Sequence, residues 1–293
     1  MNVAVIGASG QLGRDVSAAC ESRGDLVHSL SHEDIEISNV DSVFKVVRDL
    51  RPQLIVNTAA MHHVEKCEQA AAAAFAINAL GARNLAIAAR ETGAALLHIS
   101  TDYVFDGNKT TPYTETDLPG PLNVYGNTKL AGELFVRAEL KQHFIVRTSA
   151  IYGKSPCRAK GGLNFVELML KLAKERGEVR VVDSEFVSPT FTHELAQQIV
   201  DLGHGDHFGL YHATAEGSCS WYEFAREIFA LTKTPVKLNA AAPNEFPAKV
   251  PRPLYSVLEN AGLKKIGLNR FQPWAEGLRK YLYQNQGMTA GVA

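Results

Sequence analysis

Apolar residues in the first half of the chain fall in short, nearly continuous runs. Between them lie longer segments whose apolar positions recur every three to four residues. The runs are NVAVIG (2–7), DLVHSL (25–30), QLIVNTAA (53–60), AALLHIS (94–100) and HFIVRTS (143–149). Each has strand length, and the intervening stretches 11–22, 41–50, 68–92 and 125–140 have helical period. Unbroken apolar strands alternating with helices predict a parallel sheet covered on both faces, a doubly wound α/β (Rossmann) arrangement. The Ala-rich stretch EQAAAAAFAINALGA is interrupted by Gln69, Asn78 and Gly81 and reads as a buried helix, not a membrane span.

Beyond residue 150 the rhythm loosens. GKSPCRAKGG (153–162) carries Gly, Pro and charge without apolar period and predicts a mobile loop. A helix (163–175), a strand (178–182), a helix (192–203), a strand (209–214) and a final helix (273–284) are expected, with Pro-rich punctuation over 241–253. The pattern divides the chain into a dinucleotide-binding domain over 1–152 and a smaller, mainly substrate-binding region over 153–293. Segment 178–205 is expected to return to the first domain, and the tail 285–293 to fray.

Net charge is −1 and no Lys/Arg-rich run appears, so nucleic acid and membrane surfaces have no electrostatic footprint here. Cys20, Cys67, Cys157 and Cys219 form no C-x-x-C pair, which fits reduced thiols in a cytoplasmic protein. MNVAVIG reads as a strand from Met1 onward, so no leader peptide is expected.

The first strand–helix junction, VAVIGASGQLGRD, spaces Gly7, Gly10 and Gly13 as G-x-x-G-x-x-G. Gly7 suits the tight turn, Gly10 admits a pyrophosphate to the backbone, and Gly13 lets the helix close on the strand. Ser9, Gln11, Leu12 and Arg14 complete the loop and first turn. Where the second strand ends, HSLSHED, Ser31 and His32 come before any acid and Arg14 lies nearby, so NADPH is favoured, while Glu33 and Asp34 leave NADH possible. Glu36 and Ile37 are expected near the adenine, and Thr58, Ala59 and Ala60 beneath the phosphates on the nicotinamide side. Among the tyrosines only Tyr125 has a lysine, Lys129, four residues on, which places both on one helix face. Ser100 and Thr101 end the fourth strand, at the sheet edge where such folds bind ligands. The seven residues HHVEKCE (62–68) lack the further ligand pair a zinc site requires, and no metal is expected.

With GASGQLGRD, STDYVFDG, PLNVYGNTKLAGE, NFVELML and RPLYSVLENAGLKK, the chain resembles the extended short-chain dehydrogenase/reductase family over about residues 1–284. The resemblance implies reduction of the C4 ketone of a dTDP-4-keto-6-deoxyhexose, with Thr101, Tyr125 and Lys129 as catalytic trio. In that chemistry Tyr125 donates the proton, its acidity raised by the Lys129 ammonium, which also holds the nicotinamide ribose. Thr101 would hydrogen-bond the substrate oxygen. Asp102 reads more readily as a local cap than as an acid catalyst, and Asn78 as a satisfied core amide. Asn164 and Arg252 match substrate positions of the family, Arg252 through a fork suited to a diphosphate; Arg158 and Lys160 are weaker candidates. Three positions depart from the family pattern. His62 replaces a small hydroxyl residue and Ala150 a tryptophan, both beside the expected hexose pocket; Tyr255 replaces a small amide. The same family leaves open a nucleotide-sugar 4-epimerase, or a non-catalytic NADP-binding subunit resembling the regulatory subunit of methionine adenosyltransferase. Tyr103, directly after Thr101–Asp102 where dehydratases carry an acid, speaks against dehydration. A homodimer is the partner state considered.

Overall fold

The computed structural model describes residues 1–157, 161–242, 245 and 249–286. In chain order the elements are β1 (Asn2–Ile6), α1 (Gln11–Ser22), β2 (Leu26–Leu30), α2 (Val40–Leu50), β3 (Leu54–Asn57), α3 (Val64–Gln69) and α4 (Ala71–Phe75). A π-helical turn, Ala76–Leu80, joins α4 to α5 (Gly81–Thr92). There follow β4 (Ala95–Thr101), α6 (Val124–Glu139), β5 (His143–Thr148), β6 (Ile151–Tyr152), α7 (Phe165–Arg176), β7 (Glu178–Val181), β8 (Phe186–Val187) and β9 (Thr190–Phe191). The chain continues through α8 (Thr192–Gly203), β10 (Gly209–His212), β11 (Cys219–Ser220), α9 (Trp221–Thr232), β12 (Lys237–Ala240), α10 (Ala261–Lys265) and α11 (Trp274–Gln286).

Six strands form one sheet in the order β10-β5-β4-β3-β1-β2, and every pairing in it is parallel. Alternation along each strand divides the core in two. Val3, Val5, Val56, Leu97 and Val146 face α1 and α8, while Ala4, Ile6, Ile55, Leu96 and Ile145 face α2 and α5. Both faces are dry, which is why the strands read as unbroken apolar runs. The Ala-rich stretch is buried only in part, which corrects the expected buried helix. Ala74, Ala79 and Ala82 are buried, but Ala72, Ala73, Phe75 and Leu80 are exposed. Full burial in the second layer belongs to its continuation through Leu85, Ala86 and Ala89. A third core, around Tyr152, Phe191, Phe224 and Tyr281, joins α7, α9 and α11.

The chain's return to the sheet differs from the expected segment. α8 packs against α1, and the return extends past 205 to β10, which completes the sheet beside β5. β7 pairs instead with β12 in a separate two-stranded unit. Helix α9 carries no expectation above, yet SWYE opens it with a capping box: Ser220 accepts from Glu223 N, and Glu223 accepts from Ser220 N. That S-x-x-E before an apolar run was the signal available in the sequence. Arg158 and Lys160 lie outside the described residues, as does the tail from 287, whereas Asn285 and Gln286 belong to α11.

Candidate active site

The crevice opens where the strand order reverses, between the carboxyl ends of β1 and β3. Gly7 turns there with φ +79°, and a Cβ on it would meet Ala59 N and Thr58 Oγ1 at 2.9 Å. A Cβ on Gly13 would sit 2.3 Å from Gly7 O, so only glycine lets α1 close on the turn. No side chain caps α1, whose N-cap is Gly10, so its first-turn N–H groups remain available to an anion. Thr58 donates to Ile6 O at 2.8 Å, pinning the third-strand loop to the cradle. These features fit a dinucleotide pyrophosphate.

The acids after β2 turn to their own loop. Asp34 accepts from Ser31 N and Ser31 Oγ, each at 2.7 Å, and Glu36 accepts from Ser38 N and Oγ. That leaves Glu36 occupied at its expected adenine position. Ile37 does not face the crevice: it is buried in the core against Gly81, so the adenine contact expected of it is corrected. Leu12 likewise belongs to the core under the sheet. Gln11 reaches across to Gly153 O and Ser155 O, joining the first turn of α1 to the loop after β6. Arg14 is exposed and donates from Nε to Ser9 O.

Helix α6 is held at its start by Asn123, whose side chain accepts from Gly126 N and donates to Pro251 O, and by Glu68, which accepts from Val124 N. That start presents Tyr125 to the end of β4, where the phenol hydrogen-bonds the Thr101 hydroxyl and meets the Tyr103 ring edge-on at 5.8 Å. Burial raises the Tyr125 phenol above its ordinary pKa. Desolvation dominates in this state, and the Lys129 amine is bonded to the backbone near the end of β4. Lys129 is 2 % exposed, donates to Ile99 O at 2.5 Å, and lies 3.3 Å from His98 Nε2. Burial brings Lys129 down to about 8, opposed by the Glu133 carboxylate one turn along.

Thr101 donates its one hydroxyl hydrogen to Asp102 Oδ1 at 3.0 Å and accepts from Tyr103 N. In this state its oxygen orients the phenol, and it has no hydrogen to give a substrate. Asp102 also takes hydroxyls from Ser149 and Ser256, and its carboxyl is raised by burial against those bonds. It is therefore more than a local cap, because it clamps the ends of β4 and β5 to the C-terminal region. Asn78 is satisfied, as expected, but its partners are informative. It brackets Met61 through both backbone groups and donates to Thr128 of α6 at 3.0 Å.

The remaining predicted residues separate. His62 is exposed, 3.5 Å from Ala60 O, in the loop that carries the expected hexose-side positions. Ala150 follows β5 with φ +45°, a left-handed conformation unusual for alanine. Asn164 is buried and caps α7: Oδ1 accepts from Glu167 N, while Nδ2 donates to Gly153 O and Tyr281 OH. Both amide hydrogens are thus committed, and the substrate contact expected of Asn164 is corrected to a structural role. Arg252 pairs with Glu65 at 2.5 Å, and its buried Nε has no partner among the described residues. Tyr255 bridges to Phe186. Of the HHVEKCE residues, His63 caps α3 by accepting at Nδ1 from Lys66 N, close to the Glu65 carboxylate, and the Cys67 thiol donates to Met61 O.

Two groups beneath the site went unremarked in the sequence. Glu133 and Arg147 form a buried ion pair at 2.6 Å, completed by Ser100, and the KLAGE spacing of Lys129 to Glu133 was its visible sign. His98, fully buried in mid-strand, links Asn57 to Lys129 and had no spacing signal.

Fold and site together define a dinucleotide-dependent oxidoreductase of the extended short-chain dehydrogenase/reductase class. The chain belongs to the family described as RmlD substrate binding domain, matched over residues 1–286. It is 39 % identical to the spore coat polysaccharide biosynthesis protein SpsK of Bacillus subtilis (strain 168), over 96 % of this chain and 97 % of that protein. It is 38 % identical to the dTDP-4-dehydrorhamnose reductase of Escherichia coli (strain K12), with the same coverage. The crystal structure of dTDP-4-dehydrorhamnose reductase from Bacillus anthracis str. Ames, in complex with NADP, superposes with a TM-score of 0.92 at 38 % identity, covering 96 % of this chain and 98 % of that one.

Proposed function

We propose that this protein reduces the C4 ketone of a dTDP-4-keto-6-deoxyhexose, converting dTDP-4-dehydro-L-rhamnose to dTDP-L-rhamnose with NADPH. The observation that carries the reading is the convergence of Thr101, Tyr125 and Lys129 at the carboxyl edge of β4, beside an uncapped glycine cradle. Gly7, Ser9, Gly10, Gln11, Gly13, Thr58, Ala59 and Ala60 would hold the dinucleotide, and Arg14 is the cation available to a 2′-phosphate. When bound, the cofactor supplies hydride to the sugar carbon.

The protein's own groups do the rest. Tyr125 keeps its proton because burial raises it, so it stands loaded as the acid that quenches the new alkoxide. Thr101 aims the phenol, and Asp102 holds Thr101. The Lys129 ammonium stabilises the phenolate left after transfer, most strongly in a site closed to water. Arg252, released from Glu65, would bind the diphosphate. The four cysteines are free thiols, which suits action in the reducing cytoplasm.

The test is NADPH oxidation on addition of enzymatically prepared dTDP-4-dehydro-L-rhamnose. Stoichiometric oxidation, lost in Tyr125→Phe with cofactor binding intact, is expected. Oxidised cofactor retained through purification, with C4 inversion and no net oxidation, would assign a 4-epimerase instead. Cofactor binding without turnover, in wild type and variant alike, would assign a binding subunit.

A further inference from the structure

A row of four polar groups runs beneath the crevice, from the Ala59 N–H to the Lys129 amine. Asn57 Oδ1 accepts from Ala59 N at 3.1 Å, which fixes the amide orientation and turns Nδ2 to His98 Nδ1 at 3.0 Å. His98 Nδ1 is then the bare nitrogen. The imidazole is fully buried and pushed well below its ordinary pKa by desolvation and by Lys129, so it is neutral and carries its proton on Nε2. That N–H points at Lys129 Nζ, 3.3 Å away.

The polarity of this row cannot be satisfied when Lys129 is an ammonium. Asn57 and His98 each accept on one side and donate on the other, so a row with a donor at both ends contains one donor-to-donor contact. Turning the amide and switching the tautomer only moves the mismatch from Lys129 to Ala59. Two changes remove it: Lys129 becomes a neutral amine that accepts from His98, or the Ala59 N–H finds another acceptor. Ala59 lies against Gly7 on the crevice wall, where such an acceptor would arrive with a bound cofactor.

We infer that Asn57 and His98 are positioning residues that couple the proton on Lys129 to occupancy of the crevice. With the crevice empty and Ala59 N–H bonded to Asn57, the row favours the neutral amine of Lys129. An acceptor that takes the Ala59 N–H lets the Asn57 amide turn over and moves the His98 proton to Nδ1. The bare Nε2 then accepts from a Lys129 ammonium. A bound cofactor thereby strengthens the ammonium that stabilises the phenolate, so the inference deepens the reductase reading and rests on it. The other groups facing Lys129 do not replace this control. Glu133 of α6 favours the ammonium but is already paired with Arg147 of β5 and Ser100 of β4, while Asp102 and Cys67 bear on Tyr125.

The test reads protons directly by ¹⁵N and ¹³C NMR of the full chain. Without cofactor, the His98 tautomer and the Lys129 ε-carbon should titrate with one common midpoint, Nε2–H above it and Nδ1–H below. At pH 9, saturating NADP⁺ should convert His98 to Nδ1–H and raise the Lys129 midpoint by about one unit. Asn57→Asp accepts on both sides and removes the mismatch, so without cofactor it should hold His98 as Nδ1–H and raise the Lys129 midpoint by about the same amount. A His98 tautomer that stays fixed while Lys129 titrates, or an Asn57→Asp protein with an unmoved Lys129, overturns the inference. Failure of NADP⁺ to bind would count against the reductase reading, and the cofactor-free titration would still decide the switch.

Discussion

Tyr125 and Lys129 share a helix face, but the structure assigns them environments that spacing alone does not convey. Burial raises the phenol and lowers the amine, so near neutrality the acid is loaded and the cation sits close to its titration point. Tyr125→Phe should lower kcat by about 10²–10⁴-fold while leaving the NADPH Kd within about twofold, read by fluorescence titration. The Lys129 sign follows from its folded value. Above about 8 the ammonium is lost, so activity should decline on the alkaline side. Lys129→Arg, which stays charged, should be slower but should move that alkaline limb upward, as a pH–rate profile would record. Burial of the amine has an opposite consequence for the fold. Below 10.5 the unfolded chain holds the Lys129 proton more tightly than the folded one, so this group's contribution to stability grows as pH rises from about 8 toward 10.5.

At the scale of elements, the glycine cradle and the Tyr–Lys helix were legible because each depends on neighbours in sequence. Gly7, Gly10 and Gly13 serve a single turn, and Tyr125 and Lys129 a single helix turn. Roles set by distant partners were not legible. Asn164 looked like a substrate residue but caps α7 against Gly153 and Tyr281, 117 residues away in the second case. Ile37 is buried because α5 packs over it, and β7 pairs with β12 rather than with the main sheet. Two predictions separate scaffold from site here. Asn164→Ala removes a cap and two buried bonds, so it should destabilise by about 2–3 kcal/mol in thermal or urea unfolding. At a temperature where the variant is folded, KM for the sugar nucleotide should change less than about threefold, far from the loss expected of a ligand contact. Arg147→Met leaves the Glu133 carboxylate buried without its partner and should cost about 3–5 kcal/mol by the same measurement.

For the whole molecule, the connection between the two regions runs past the site. Asp102 binds Ser256, Asn123 binds Pro251 O, and Glu65 holds Arg252, so three bonds from the C-terminal region meet the first domain around Tyr125. Arg252→Ala should raise KM for the sugar nucleotide by at least about tenfold with kcat and NADPH affinity little changed, because it removes a charge proposed for the diphosphate and no part of the cradle. Steady-state kinetics with each substrate varied in turn checks this.

The sixth strand has a consequence for how the protein is made. β10 is reached only after α7, α8 and the four short strands β6 to β9 have been synthesised, yet it is what covers the open edge of β5. Until the ribosome has passed His212, the nascent sheet shows a row of unpaired amides and carbonyls to any passing chain. A fragment ending at Tyr152 would keep that row permanently bare and should self-associate, whereas one extended through His212 regains the protecting strand.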